Sequence, residues 1–241
     1  MARNGMVAAS GILELSPADQ VVTVATSILL DDLREALREV GQDLPLAQGN
    51  LSHWRLGSRH SEGITLREAL DWNLPHTYEG SNGTWRDWIL GGTMRTGTGL
   101  VGRSGARVVK SVAGFDVHRL LVGARGTLGE LLEVHLRTVP LGATQEDPLM
   151  EGRLPAEEVS TILRVAPTQL DKVTDSIRYH LVDLQTATIW TNALPEEVPF
   201  AQAWLPNGEF VGDKTTASLM RRAKAIFDPE GKLPALEIRE R

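Results

Sequence analysis

Four glycines, Gly114, Gly123, Gly126 and Gly129, punctuate the apolar run from Arg107 to Val134. Glycine lets backbone turn sharply or approach a flat ligand closely, so the chemistry open to this stretch is that of a backbone-lined binding surface. Hairpin turns alone would use the same glycines. Of the six histidines, His118 and His135 fall in or beside this run. His135 stands among alternating neighbours and reads as structural, whereas His118, near Gly114 and Asp116, has the better claim to a site. No His-X-His, Ser-His-Asp or paired-carboxylate arrangement emerges from the spacing. His53, Trp54, Arg55, Arg59 and His60 crowd one polar segment, but they fit no metal pattern and read as a solvated loop. Gly97, Gly99 and Gly102 satisfy G-x-G-x-x-G. That dinucleotide fingerprint needs a helix opening at its third glycine, and Arg103-Ser104-Gly105-Ala106 leads into another strand instead.

The elements that must position these residues follow from apolar periodicity. Val108 and Val109 end a strand, Asp116 to Leu121 allow one or two helical turns, and Leu131 to Leu136 read as a buried strand. Upstream, Gly11 to Ile28 holds two β-type runs around Ser16-Pro17-Ala18-Asp19-Gln20 and predicts a hairpin. Leu29 to Val40 carries Leu30, Leu33, Ala36, Leu37 and Val40 at helical spacing, with Asp31 and Asp32 in the first turn and Gly41 just past the end. Leu44 to Gly63 reads as a loop. Thr65 to Trp72 predicts a short helix with a Thr65/Glu68 capping box. Arg86 and Asp87 read as a local pair leading into a hairpin from Thr93 to Val109, turning near Gly97-Thr98-Gly99 and again at Ser104-Gly105.

Composition shifts after Pro140, and the loop-like stretch Leu141 to Pro155 marks a boundary, giving units 1–143 and 144–241. In the second unit, Ser160 to Val165 is a strand and Gln169 to Ile177 a helix. Tyr179 to Asp183 pairs with Ala187 to Thr191, and Phe200 to Leu205 is a fourth strand. A last helix, Thr215 to Ile226, presents Leu219, Ala223 and Ile226 on one face.

At 241 residues, 41% hydrophobic and 23% charged, the composition is that of an ordinary globular protein with a substantial core. A net charge of -6 without a clustered basic face argues against nucleic acid. No apolar run approaches a membrane span, and Met1 to Met6 lacks a signal peptide's apolar core, so a cytoplasmic place is expected. The absence of cysteine excludes disulfides, iron-sulfur clusters, thiolate zinc sites and cysteinyl flavin in this chain.

The order Lys110, Val112, Ala113, Gly114, Asp116, Leu120, Gly123, Gly126, Thr127, Leu128, Gly129 resembles the FAD-binding domain of the vanillyl-alcohol oxidase and p-cresol methylhydroxylase (PCMH) type. The branch it resembles is the glycolate oxidase FAD-binding E subunit, where this stretch usually reads Lys-Asn-Val-Ala-Gly-Tyr-Asp, a Leu-rich turn, then Gly-Ser-X-Gly-Thr-Leu-Gly-Val-Ile. Gly83 to Gly92 and Phe227-Asp228-Pro229-Glu230-Gly231 resemble two further motifs of that branch, the second of which returns toward the FAD domain. The resemblance implies an α+β fold: a truncated PCMH-like domain, then a small α+β domain. It assigns Lys110, Gly114, Asp116, Gly123, Gly126, Thr127, Gly129 and Leu131 to the surface that holds FAD, and it implies no metal. The resemblance begins at Gly11, and Met1 to Ser10 does not match the family's opening subdomain with its pyrophosphate loop. Arg67-Glu68 stands where the family has Gly-Gly, and Ser111 and Glu130 where it has Asn and Val. The expected function is that of a FAD-linked oxidase subunit acting on a 2-hydroxy acid beside flavin- and iron-sulfur-bearing subunits. The other expectation is a cofactor-free subunit with a structural role. The sheet edge left open predicts a dimer or hetero-complex.

Overall fold

In the computed structural model the described residues are 11–44, 63–74, 83–107, 115–143, 150–152, 161–192, 198–205 and 207–241. The fold is α+β, built on two sheets. The first has five antiparallel strands in the order β1-β2-β6-β4-β5. These are β1 (Ile12–Ser16), β2 (Val21–Ala25), β4 (Ile89–Arg95), β5 (Val101–Gly105) and β6 (Glu130–Arg137). A two-stranded ribbon of β3 (Gln42–Asp43) and β7 (Val139–Pro140) lies beside it.

Local signals account for much of this sheet and its helices. The β1–β2 hairpin turns through Pro17–Asp19, and Gln20 takes the left-handed conformation that ends the turn. Helix α1 (Leu30–Glu39) buries Leu30, Leu33, Ala36 and Leu37, the face its periodicity predicts. Helix α2 (Leu66–Trp72) opens on the expected capping box: the Thr65 hydroxyl accepts from Glu68 N at 3.2 Å, and the Glu68 carboxylate accepts from Thr65 N at 2.9 Å. Helix α3 (Trp85–Trp88) puts two indoles 5.1 Å apart into the core. Helix α4 (Val117–Leu121) follows β5 and packs on the same sheet.

The second sheet has seven strands in the order β14-β13-β12-β9-β11-β10-β8. They are β8 (Met150–Gly152), β9 (Thr161–Arg164), β10 (Tyr179–Asp183), β11 (Thr188–Thr191), β12 (Gln202–Trp204), β13 (Phe210–Gly212) and β14 (Ile238–Glu240). Helices α5 (Leu170–Ser176) and α6 (Lys214–Phe227) accompany it. The core of the first sheet also takes in Leu181 and Trp190, so the two sheets share buried apolar contact.

The structure corrects several expectations. The second hairpin begins at Ile89, earlier than Thr93, and Ser104-Gly105 ends β5 without a further turn. Arg86 donates to Val122 O and Asp87 accepts from Thr84 N, so each has a backbone partner besides the attraction between the two charges. The stretch read as loop from Leu141 to Pro155 contains edge strand β8. Strands β13 and β14 were not expected, because three-residue strands carry too little periodicity to be read. On α6, Leu219 is 57% and Ile226 75% exposed, and Ala217 is the buried residue. The loop Leu44 to Gly63 and the expected strand end at Val108 and Val109 fall largely or wholly outside the described residues, and the boundary at 143 adjoins the undescribed residues 144–149.

The end of α6 is tied to the first sheet. The Asp228 carboxylate accepts from Lys224 Nζ at 2.6 Å, Lys232 N at 2.8 Å and Leu233 N at 3.0 Å. Gly97, in the β4–β5 turn, donates its N–H to Phe227 O at 3.1 Å. A Cβ on Gly97 would stand 2.0 Å from Asp228 Oδ1, an atom held by a hydrogen bond and unable to yield freely. Overpacking of this kind costs about 1 to 3 kcal/mol, so Gly97→Ala should melt several degrees below the parent in a thermal scan; an unchanged midpoint would refute this account of the turn.

Asp71 in α2 gives a second test. Burial is the largest influence on its carboxyl and pushes it from 3.8 up to about 6; Arg67 pulls it down and Glu68 up. The folded state therefore holds this proton more tightly than the unfolded chain, and stability falls as pH rises from about 4 to about 6. Asp71→Asn should flatten that slope and raise stability at pH 7 by about 2 to 3 kcal/mol, read as urea midpoints across pH.

Candidate functional site

Lys110 and Gly114 lie outside the described residues. Asp116 is an exposed residue just before α4, 3.5 Å from Arg119. Gly123, Gly126 and Thr127 form the turn between α4 and β6, and Gly129 leads into that strand. Leu131 is buried in the core, and its carbonyl accepts from Thr26 Oγ1 at 2.6 Å. The structure brings Gly123 and Thr127 to the wall of a cavity of about 570 Å3 between the two sheets. Asp116, Gly126, Gly129 and Leu131 are not part of that wall.

His118 is buried, and its Nδ1 stands 2.9 Å from Ser104 Oγ, which itself donates to Phe115 O. Burial pulls its pKa below the ordinary histidine value and keeps the ring neutral, so it is a packed residue set back from the cavity. His135 Nδ1 lies 2.9 Å from Thr23 Oγ1, its cross-strand neighbour, in keeping with a structural place.

The cavity floor is a consequence of register. Residues directly across neighbouring strands share a face. Gln202 pairs with Arg164, Arg164 with Thr188 and Thr188 with Asp183, giving one polar row. The next row on the same face runs Trp204, Ile162, Trp190, Leu181, and it is apolar. Opposite this floor stand Trp72 at the end of α2, Asn73 after it, Arg86 from α3 and the Gly123–Thr127 turn.

Arg125 is central to the cavity wall. Its guanidinium carbon lies 4.0 Å from the Trp72 ring centroid and 3.9 Å from that of Trp204, so one cation is stacked between two indoles. Burial pulls it down to about 9, and it stays cationic at neutral pH. Its backbone is left-handed at φ 54°, held by its N–H donating to Asp71 O at 2.9 Å. Arg86 donates through Nε and Nη2 to Val122 O, and burial, then the nearby Arg164 charge, lower its pKa. The carboxylate of the wall, Asp183, accepts from Gln185 N, Thr186 N and Thr186 Oγ1. Its oxygens are thus engaged by its own turn. Among the described residues no cluster of three or more His, Asp or Glu could hold a metal.

Two of the described glycines of this turn region pack closely on the protein's own atoms in the direction a side chain would take. A Cβ on Gly123 would meet Asn73 Cβ at 3.3 Å and Arg86 Nη2 at 3.4 Å, and one on Gly129 would meet Arg95 O at 2.9 Å. Gly126, with Pro234 Cγ at 3.8 Å, has room beside it. Arg67, standing where a glycine was expected, is paired with Glu130, which Arg95 also contacts at 3.1 Å.

Sequence reasoning missed Arg125, Trp72, Asn73, Trp190, Trp204 and Arg164. One signal was available: six tryptophans outnumber four phenylalanines and two tyrosines, an unusual balance that favours rings able to stack on cations.

No protein-family profile matches the chain. It is 32% identical over 130 residues to glycolate oxidase subunit GlcE of Escherichia coli, covering 54% of this chain and 35% of that protein. It is 27% identical over 135 residues to glycolate oxidase subunit GlcD of Bacillus subtilis, covering 56% of this chain and 27% of that one. An uncharacterized FAD-linked oxidoreductase of Mycobacterium tuberculosis is 28% identical over 129 residues, covering 54% of this chain and 26% of that protein. The chain thus spans about a third or less of these relatives. A solved structure of alkyldihydroxyacetonephosphate synthase aligns with TM-score 0.41 and 16% identity over 69% of this chain and 27% of its own. Across roughly half its length, this chain is similar to glycolate oxidase subunits and to an uncharacterized FAD-linked oxidoreductase.

Proposed function

We propose that this chain serves as a subunit of a multi-subunit FAD-linked oxidase that acts on a 2-hydroxy acid, as the names of its relatives suggest for them. The observation that carries this reading is the 130-residue similarity to GlcE. On this reading residues 1–143 are the PCMH-like unit and 144–241 a small α+β unit. The chain works in the cytoplasm beside flavin- and iron-sulfur-bearing subunits or a second copy of itself. Among the described residues no helix is long and apolar enough to cross a membrane. If FAD binds here, redox chemistry belongs to the flavin and the protein's part is to hold it.

A second reading, a cofactor-free subunit with a structural role, is favoured by a specific observation. A Cβ at Gly123 would press on Asn73 and Arg86 and one at Gly129 on Arg95, and Arg67 engages Glu130. The two readings part on one measurement. The first expects purified protein to carry a flavin band near about 450 nm, or to gain thermal stability when soaked with FAD. Colourless protein whose melting temperature ignores FAD would sink the first reading and leave the second. Covering of the open sheet edge predicts a dimer or hetero-complex; a monodisperse monomer at high concentration in light scattering would count against it.

A further inference from the structure

Two exposed helix faces carry opposite charge. None of the chain's 31 acidic residues falls on α6, whose cations are Lys214, Arg221, Arg222 and Lys224. Arg221 is paired with Glu240 and Lys224 with Asp228, whereas Lys214 and Arg222 are exposed and form no ion pair among the described residues. Asp213, which opens the helix, is taken up in capping Thr216. Leu219, Arg222 and Ile226 recur at helical spacing and share one stripe. Leu219 and Ile226 are among the chain's exposed large hydrophobics, so this stripe sets two apolar side chains beside an unpaired guanidinium in solvent.

Helix α1 is its complement. The inner face is buried, and Asp31, Asp32, Glu35 and Glu39 stand exposed on the outer face, within about 100° of arc at 3.6 residues per turn. None of these four acids forms an ion pair among the described residues. Arg38, the exposed cation of this helix, is held by Asp43 at 3.2 Å. Just past the helix, Leu141 donates its N–H to Gly41 O at 2.9 Å and is 51% exposed, which gives the acidic stripe an apolar end. The lengths match: at 1.5 Å per residue Leu219 to Ile226 rises about 10 Å and Asp31 to Glu39 about 12 Å. Two α6 faces brought together would oppose cation to cation, and two α1 faces acid to acid. An α6 face against an α1 face pairs opposite charges, and such a pattern selects the partner as well as attracting it. Within one chain no ion pair joins the two helices among the described residues.

We propose that α6 of one copy docks against α1 of a second copy, with Lys214 and Arg222 meeting the acidic stripe and Leu219 and Ile226 packing toward Leu141. Arranged about a two-fold axis, the contact is made twice and the assembly closes as a dimer. This assigns the second copy named in the proposed function to helix faces instead of the open sheet edge, and it requires neither FAD nor the cavity. Exposed ion pairs contribute little singly, so the association depends on concentration and on salt.

Sedimentation velocity of the full chain over a concentration series reads it. Association should be visible in about 50 mM sodium chloride and about tenfold weaker in about 500 mM. Lys214→Glu combined with Arg222→Glu should abolish it, as should Glu35→Lys combined with Glu39→Lys. An equimolar mixture of these two double variants should restore it, because each then presents the charge that the other lacks. Ile226→Ser should weaken the parent's association several-fold, while Lys172→Glu, exposed on α5, should leave it unchanged. Every substituted position is exposed, and thermal unfolding checks that each variant is folded. A parent that stays monomeric at every concentration, or a mixture of the folded variants that stays monomeric, would overturn the proposal. Charge variants that associate as the parent does would move the contact to the sheet edge and overturn it too. So would a monomer that sediments with mixed phosphatidylcholine and phosphatidylglycerol vesicles, which would hand the α6 face to an anionic lipid surface. The flavin band and the thermal response to FAD are read separately, so this contact and the oxidase reading stand or fall apart.

Discussion

The Arg125 guanidinium is shared by two indoles that belong to different halves of the fold. Trp72 ends a helix packed on the first sheet, and Trp204 lies in a strand of the second. Each face of the cation is worth about 0.5 to 2 kcal/mol when desolvated, so the stack contributes to seating one sheet against the other. It also fixes where the cavity opens, because the turn that carries Arg125 forms the wall and Trp204 forms part of the floor. The backbone bends left-handed at the base of this side chain.

A second tie, of different chemistry, works beside it. Lys224 on α6 donates to Thr127 O in the Arg125 turn, to Pro234 O and to the Asp228 carboxylate. The C-terminal segment thus returns to the first sheet, as the motif around Asp228 implied. Stacking sets the inner edge of the turn and this ammonium sets its outer edge. Together they explain how a glycine-rich turn stays ordered. On the proposed functional reading, the same turn stands where relatives would present backbone to a cofactor, and here its most prominent group is a cationic side chain.

How much of this was legible in the sequence depended on the range of the interaction. The β1–β2 hairpin, α1 and the Thr65/Glu68 box were readable because turn residues, caps and apolar spacing act within a few positions. On α6 the spacing of Leu219, Ala223 and Ile226 gives a stripe without saying whether anything covers it, and Leu219 and Ile226 are exposed. The two rows of the floor depend on the register of β9, β11 and β12, which non-local pairing sets. Arg125 occupied a position whose side chain the family pattern leaves unspecified. Nothing near it in sequence points to Trp204 as its partner.

The left-handed backbone at Arg125 has a further consequence. A glycine there would suit the local geometry better, with no Cβ to crowd the preceding carbonyl, and would leave the two indoles facing an empty gap. Backbone comfort and side-chain reach pull in opposite directions at this one position. The arginine present resolves that conflict in favour of reach, which marks the turn as a mount for a charged arm more than a bend in the chain.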